Sequence, residues 1–157
     1  MNNIRVTKEF HFEMAHALYG YDGACKNIHG HSYKLSVCII GRINQQENHP
    51  KNGMVVDFTD LKEIVNAQII EKFDHTLVLN GSSPHKKFVE KDPDNYRDEK
   101  IILVNYQPTC ENLLIDFVEK IKPYFSGSMK LHHLLLSETA TSCAEWYADD
   151  NENKFDN

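Results

Sequence analysis

Cys25-Lys-Asn-Ile-His29-Gly-His31 puts one thiol and two imidazoles within seven residues. Histidines two apart in an extended chain project to the same face, and a glycine between them has no side chain to obstruct a shared ligand. A cation held by both needs a third ligand from elsewhere. His16, which closes Phe12-Glu-Met-Ala-His16, is the nearest good candidate. Three neutral imidazoles with one open position make the catalytic zinc arrangement, whereas a structural zinc is more often closed by four ligands that include cysteine. Cys25 then has two readings: fourth ligand, or a thiol held off the metal as nucleophile or base. The second reading needs an imidazole to lower the thiol pKa and an acid to orient that imidazole. Asp74-His75 offers both residue types, although the same pair also suits a helix terminator and a solvated turn.

Two carboxylates stand out beside these. Glu111 falls in the first turn of a helix, where the helix dipole by itself favours an acid. Glu138 follows Leu134-Leu-Leu136 at the end of a very apolar strand, so it must find donors in the protein or in a ligand. A ligand with an amidine-like pair of N–H donors, such as a pterin or guanine edge, suits one carboxylate accepting two bonds.

The elements that must position these groups follow from periodicity. Ile4, Val6, Phe10, Phe12 and Met14 alternate with Arg5, Thr7, Glu9, His11 and Glu13, the period of a half-buried strand. His16 shares the apolar parity. After a glycine-containing loop, a second strand runs from His31 to about Ile43, with Tyr33, Leu35, Val37 and Ile39 on the parity of His29 and His31. All three histidines thus lie on the inward faces of their strands. A polar loop leads to a short strand at Met54–Phe58. A helix then starts near Thr59, with Asp60 and Glu63 as a capping box and an apolar stripe of Leu61, Ile64, Val65, Ile69 and Phe73. Asn80-Gly81 is a turn, residues 81–100 an irregular excursion, and Ile101–Val104 a strand. Thr109 caps a second helix whose buried stripe is Leu113, Leu114, Phe117, Val118 and Ile121, and Pro123 ends it. Strands at 131–137 and 143–147 close a single domain over residues 1–148, and 149–157 is a frayed polar tail. This order predicts an α+β domain: an antiparallel sheet with both helices on one face.

Composition bounds the function. The chain has 157 residues, 41% hydrophobic and 25% charged, and a net charge of −6. It has no basic cluster, which argues against a nucleic-acid partner. No window approaches a membrane span, and the N-terminus lacks the apolar core of a signal peptide. Four cysteines without framework spacing read as reduced thiols, so the expected compartment is the cytoplasm.

Taken in order, Phe12-x-x-Ala15-His16, Cys25-x-x-x-His29-Gly-His31, Val56-Asp57-Phe58, Asp74-His75, Leu79-Asn80, Pro108-Thr109-x-Glu111-Asn112 and Glu138-Thr139 resemble the pterin synthases. That family comprises the 6-pyruvoyl- and 6-carboxy-tetrahydropterin synthases, and the resemblance runs from about Phe10 to Tyr147. It implies a tunnelling fold whose subunits assemble into trimer-based barrels, possibly hexamers, with active sites at subunit contacts. It implies zinc on His16, His29 and His31, Cys25 as the proton-abstracting thiolate with Asp74 and His75 completing a relay, and Glu111 and Glu138 near the substrate. Glu138 would anchor the pterin ring. The implied substrate is dihydroneopterin triphosphate. Three residues between Cys25 and His29 match the carboxy-forming bacterial branch, whose product feeds the deazapurine pathway to queuosine. The pyruvoyl-forming reaction and a non-catalytic zinc-stabilised module are the competing expectations. Residues 81–100 are longer than in compact members, and Lys26, Lys34, Lys51 and Lys130 are unranked candidates for the triphosphate.

Overall fold

The computed structural model describes residues 2–87 and 100–152. Strand β1 (Asn3–Ala17) and strand β2 (His29–Arg42) form one long antiparallel hairpin in which Phe12 faces Tyr33, Met14 faces His31 and His16 faces His29. The alternation read in β1 is observed from Glu9 onward, where Phe10, Phe12, Met14 and His16 are buried and Glu9, His11 and Glu13 exposed, whereas Ile4 at the start of the strand is exposed and Val6 half-buried. Strands β3 (Thr76–Asn80), β4 (Ile101–Val104), β5 (Met129–Ser137) and β6 (Cys143–Tyr147) complete a six-stranded sheet of order β4-β3-β1-β2-β5-β6.

The α+β class holds, with differences in detail. The sheet is mixed, because β3 runs parallel to β1 and β4 parallel to β3. β3 escapes local pattern reading because its five residues sit between Asp74-His75 and Asn80-Gly81, and its partner is β1, some sixty residues away. No strand forms at Met54–Phe58. Asp57 instead caps the first helix, its side chain accepting from Thr59 N–H at 2.8 Å, so the expected capping box at Asp60 and Glu63 is displaced. Residues 149–152 are helical (α3, Ala148–Glu152) rather than frayed. Most of the expected excursion and the last five residues lie outside the described segments.

Helix α1 (Phe58–Val65) continues through a π-helical turn (Asn66–Ile70) into Glu71–Phe73. Its buried residues Leu61, Val65, Ile69 and Phe73 are each four apart. Four α-helical steps overshoot a full turn by about 40°, so such a stripe drifts off its face, and one wider turn resets it. Helix α2 (Cys110–Ile121) starts at Thr109, whose hydroxyl accepts from Asn112 N–H at 3.3 Å, and ends before Pro123. Both helices pack against Phe10, Phe12, Tyr33, Leu35, Val37, Leu134 and Leu136. A bulge where β5 pairs with Cys38 and Ile39 inserts His132, which turns both Leu131 and Leu134 inward. No helix among the described residues is long and apolar enough to cross a membrane.

Candidate metal centre and active site

The hairpin register brings His16 opposite His29 and leaves His31 next on the same face. One ligand nitrogen from each lies within 4.8 Å of the others. Two backbone carbonyls fix the rings: Pro108 O sits 2.7 Å from His16 Nδ1, and Asn27 O sits 2.8 Å from His29 Nδ1. A carbonyl only accepts, so both rings must carry their proton at Nδ1 and turn an Nε2 lone pair inward. With that tautomer on both rings, the two Nε2 lone pairs face each other at 3.1 Å. His31 Nε2 is buried and has no hydrogen-bond partner among the described residues. Burial lowers the His16 pKa, outweighing the Pro108 carbonyl that raises it, so the ring is held neutral. Converging lone pairs on neutral, oriented imidazoles are what a divalent cation requires, so the residues fit a metal ion. Cys25 is outside this group of donors.

Glu138 meets the triad from the end of β5. Its Oε1 lies 3.5 Å from His16 Nε2 and 3.8 Å from His31 Nε2, and accepts the Tyr33 hydroxyl at 3.1 Å. Tyr33 is wholly buried, and burial followed by the Glu138 charge raises its pKa, keeping the phenol a donor. Sequence reasoning missed Tyr33, although its parity with His29 and His31 was the available signal. It also missed Pro108 and Asn27, whose backbone roles leave no trace in side-chain type. Cys110 donates to Leu136 O at 3.2 Å, and its thiol is pushed up to about 12 by burial and then by Glu138. It is therefore an inert neighbour. Glu111 is exposed in the first turn of α2.

Asp74 and His75 do pair, with His75 Nδ1 3.0 Å from Asp74 Oδ2. A left-handed backbone at His75 (φ +54°) permits this between neighbours in the chain, and such strain concentrates at functional positions. Glu13 clamps the pair: its N–H donates to Asp74 Oδ1 at 2.8 Å, and its carbonyl accepts from His75 N–H at 2.6 Å. That N–H bond is the main reason the Asp74 pKa is lowered. The Lys100 ammonium adds bonds to the carbonyls of Glu71 and Asp74 at 2.6 and 2.8 Å.

Cys25 is tied elsewhere. It lies in a 3-10 turn (Ala24–Lys26), and its carbonyl accepts from Leu18 N–H at 2.9 Å. Glu13 and Leu18, the backbone partners of His75 and Cys25, are five residues apart in the chain, about 15 Å along an extended strand. Of the four lysines, Lys34 pairs with Glu9 at 2.8 Å, Lys51 with Asp57 and Asp60, and Lys130 with Glu152 at 3.2 Å. Lys26 sits in the turn beside Cys25.

The comparisons with known proteins agree with this geometry. The family model described as 6-pyruvoyl tetrahydropterin synthase matches residues 5–149. A 6-carboxy-5,6,7,8-tetrahydropterin synthase of Haemophilus influenzae is 32% identical over 142 residues, covering 90% of this chain and 97% of the relative. The enzyme of the same name from Rickettsia typhi is 32% identical over 136 residues, covering 82% and 93%. Among solved structures, an uncharacterized protein from Wolinella succinogenes superposes with a TM-score of 0.75 at 21% identity, covering 94% of this chain and 99% of the other. The Caenorhabditis elegans 6-pyruvoyl tetrahydropterin synthase does so with a TM-score of 0.66 at 23% identity, covering 94% and 97%. With its hairpin-borne histidine triad and a family match over nearly its whole length, this chain belongs to the 6-pyruvoyl tetrahydropterin synthase family.

Proposed function

We propose that this chain is a zinc-dependent lyase converting dihydroneopterin triphosphate and one water to 6-carboxy-tetrahydropterin, with release of acetaldehyde and triphosphate. One observation carries the reading: three inward imidazole nitrogens and a phenol-fixed carboxylate converge at one end of the β1–β2 hairpin. The relatives matched over most of the chain bear the name of that activity, and the three-residue spacing between Cys25 and His29 agrees with it.

His16, His29 and His31 would hold the ion, and zinc bound there supplies Lewis acidity at an open position toward the side-chain oxygens of the substrate. Glu138 accepts the N–H pair of the pterin edge, and Tyr33 fixes one of its oxygens so that the carboxylate does not swing. Cys25 removes and returns the side-chain protons as the triphosphate leaves. His75, oriented by Asp74, is the imidazole for that thiol. Their backbone anchors, Leu18 and Glu13, lie five residues apart in the chain, a separation that favours an assembly in which a second copy supplies Asp74 and His75. We assign Glu111 a role at the substrate only on the family resemblance. On the same basis the protein is a cytoplasmic, trimer-based homo-oligomer whose product enters the deazapurine route to queuosine.

Incubation of zinc-loaded protein with dihydroneopterin triphosphate should yield acetaldehyde and a carboxy-pterin by mass spectrometry. A product that keeps the three-carbon side chain would reassign the reaction to the pyruvoyl type. Absence of turnover from fully zinc-loaded protein would sink the proposal and leave a binding module.

A further inference from the structure

Gln107 stands one residue before Pro108, whose carbonyl orients His16. Its side-chain amide engages the backbone of Tyr19 in both directions. Tyr19 N–H donates to Gln107 Oε1 at 3.2 Å, and Gln107 Nε2 donates to the Tyr19 carbonyl. The amide thus imitates one rung of a β ladder, two residues past the end of β1. The Gln107 backbone is itself held, its carbonyl accepting from Thr109 N–H at 2.8 Å and from Asn112 Nδ2 at 3.0 Å.

Tyr19 opens the loop that carries Cys25. The loop contains Gly20 in the left-handed region (φ +78°) and Gly23. Its other backbone bonds are local: Tyr21 N–H to Leu18 O, Lys26 N–H to Gly23 O, and Leu18 N–H to Cys25 O. Among the described residues, the bonds that reach the backbone of 19–26 from outside 18–27 both come from Gln107. Local turn bonds shape the loop but do not fix its direction relative to the sheet. A bidentate amide from a braced turn does.

We infer that Gln107 is the positioning residue for Cys25, the clamp that holds the thiol loop in register with the histidine triad. Gln107, Pro108 and Thr109 then form a single turn that fixes the thiol loop, a metal ligand and the start of α2. The kinetic consequence rests on the role proposed above for Cys25; the structural one does not. Displacing a proton-transferring group by about 1 Å costs on the order of a hundredfold in rate, so release of the loop should act on kcat.

The test compares wild type, Gln107→Leu, which removes both amide groups at similar volume, and Gln107→Glu, which keeps the acceptor but sets a carboxylate against the Tyr19 carbonyl. At equal zinc content and melting temperature, both variants should show hydrogen exchange at least tenfold faster in the peptide containing Tyr19. Alkylation of Cys25 by iodoacetamide, read by peptide mass spectrometry, should change rate in both variants while alkylation of Cys143 does not. With the pterin substrate, kcat should fall at least tenfold while KM stays within about twofold. Unchanged exchange at Tyr19 in both variants would overturn the inference. So would a kcat loss that appears only together with zinc loss and a lower melting temperature, since that pattern means a role in the fold of the turn. If wild type itself fails to turn over the substrate, the exchange and alkylation arms still decide the clamp, and the failure belongs to the proposed reaction alone.

Discussion

A neutral imidazole whose Nδ1–H is committed to a carbonyl has one lone pair left, at Nε2. His16 and His29 are both in that state, and their Nε2 atoms confront each other at 3.1 Å. Cys25 stands apart from that cluster, so in the proposed mechanism metal binding and proton transfer fall on different residues. Cys25→Ala should therefore retain one zinc per chain by atomic absorption while kcat drops by about 10²–10⁴; zinc lost along with activity would make Cys25 a ligand instead. Asp74 allows a prediction with a sign. Its pKa is lowered in the folded chain, first by the Glu13 N–H and then by His75. Its contribution to stability is then complete above the ordinary carboxylate value of about 4, and is lost as pH falls through the lower folded value. The difference in melting temperature between wild type and Asp74→Asn should be largest near pH 7 and shrink below about pH 4. A difference that grows on acidification would mean that the Asp74 pKa is not lowered on folding.

At the level of elements, the triad depends on a hairpin pinned by two helices. Phe117 is wholly buried on α2 and meets Phe12 and Phe73 edge to face at 6.0 and 4.9 Å between ring centroids. It joins both helices to β1 at Phe12, four residues before His16. Phe117→Ala should lower the unfolding free energy by about 3–5 kcal/mol in a urea titration. A loss below about 1 kcal/mol would show that the helices dock on the sheet without it. The π turn in α1 belongs to the same scale. It keeps Ile69 and Phe73 on the face set by Leu61 and Val65, and it delivers the chain to Asp74 in the direction that lets His75 fold back onto Glu13.

At the level of the whole molecule, α1 and α2 both pack on one face of the sheet. The outward residues of β1, Arg5, Thr7, Glu9, His11 and Glu13, are exposed and polar. His75 keeps 78% of its side chain exposed while its backbone and Asp74 are firmly held. If a second copy completes the site, co-refolding inactive Cys25→Ala with inactive His75→Ala should restore part of the wild-type turnover in the mixed oligomers. Mixtures that stay at the level of the parents would place thiol and imidazole in the same subunit and defeat the shared-site reading.

Strand parity made the triad legible in sequence, because side chains alternate by a fixed geometric rule and His16, His29 and His31 all fall on apolar parity. Helix stripes and the Thr109 cap were legible for the same kind of reason: their causes lie within a few residues. What tertiary structure alone decided involves partners distant in the chain. β3 exists because β1 offers it a parallel edge. His16 is oriented by a carbonyl 92 residues away, a group that every residue carries and that no residue type announces. The Glu138 carboxylate could be suspected from the apolar strand before it, but only the fold shows that the Tyr33 hydroxyl fixes it beside the histidines. Sequence determined which side chains could share a face; backbone hydrogen bonds and long-range pairing determined how they are aimed, because those forces act between groups common to all residues.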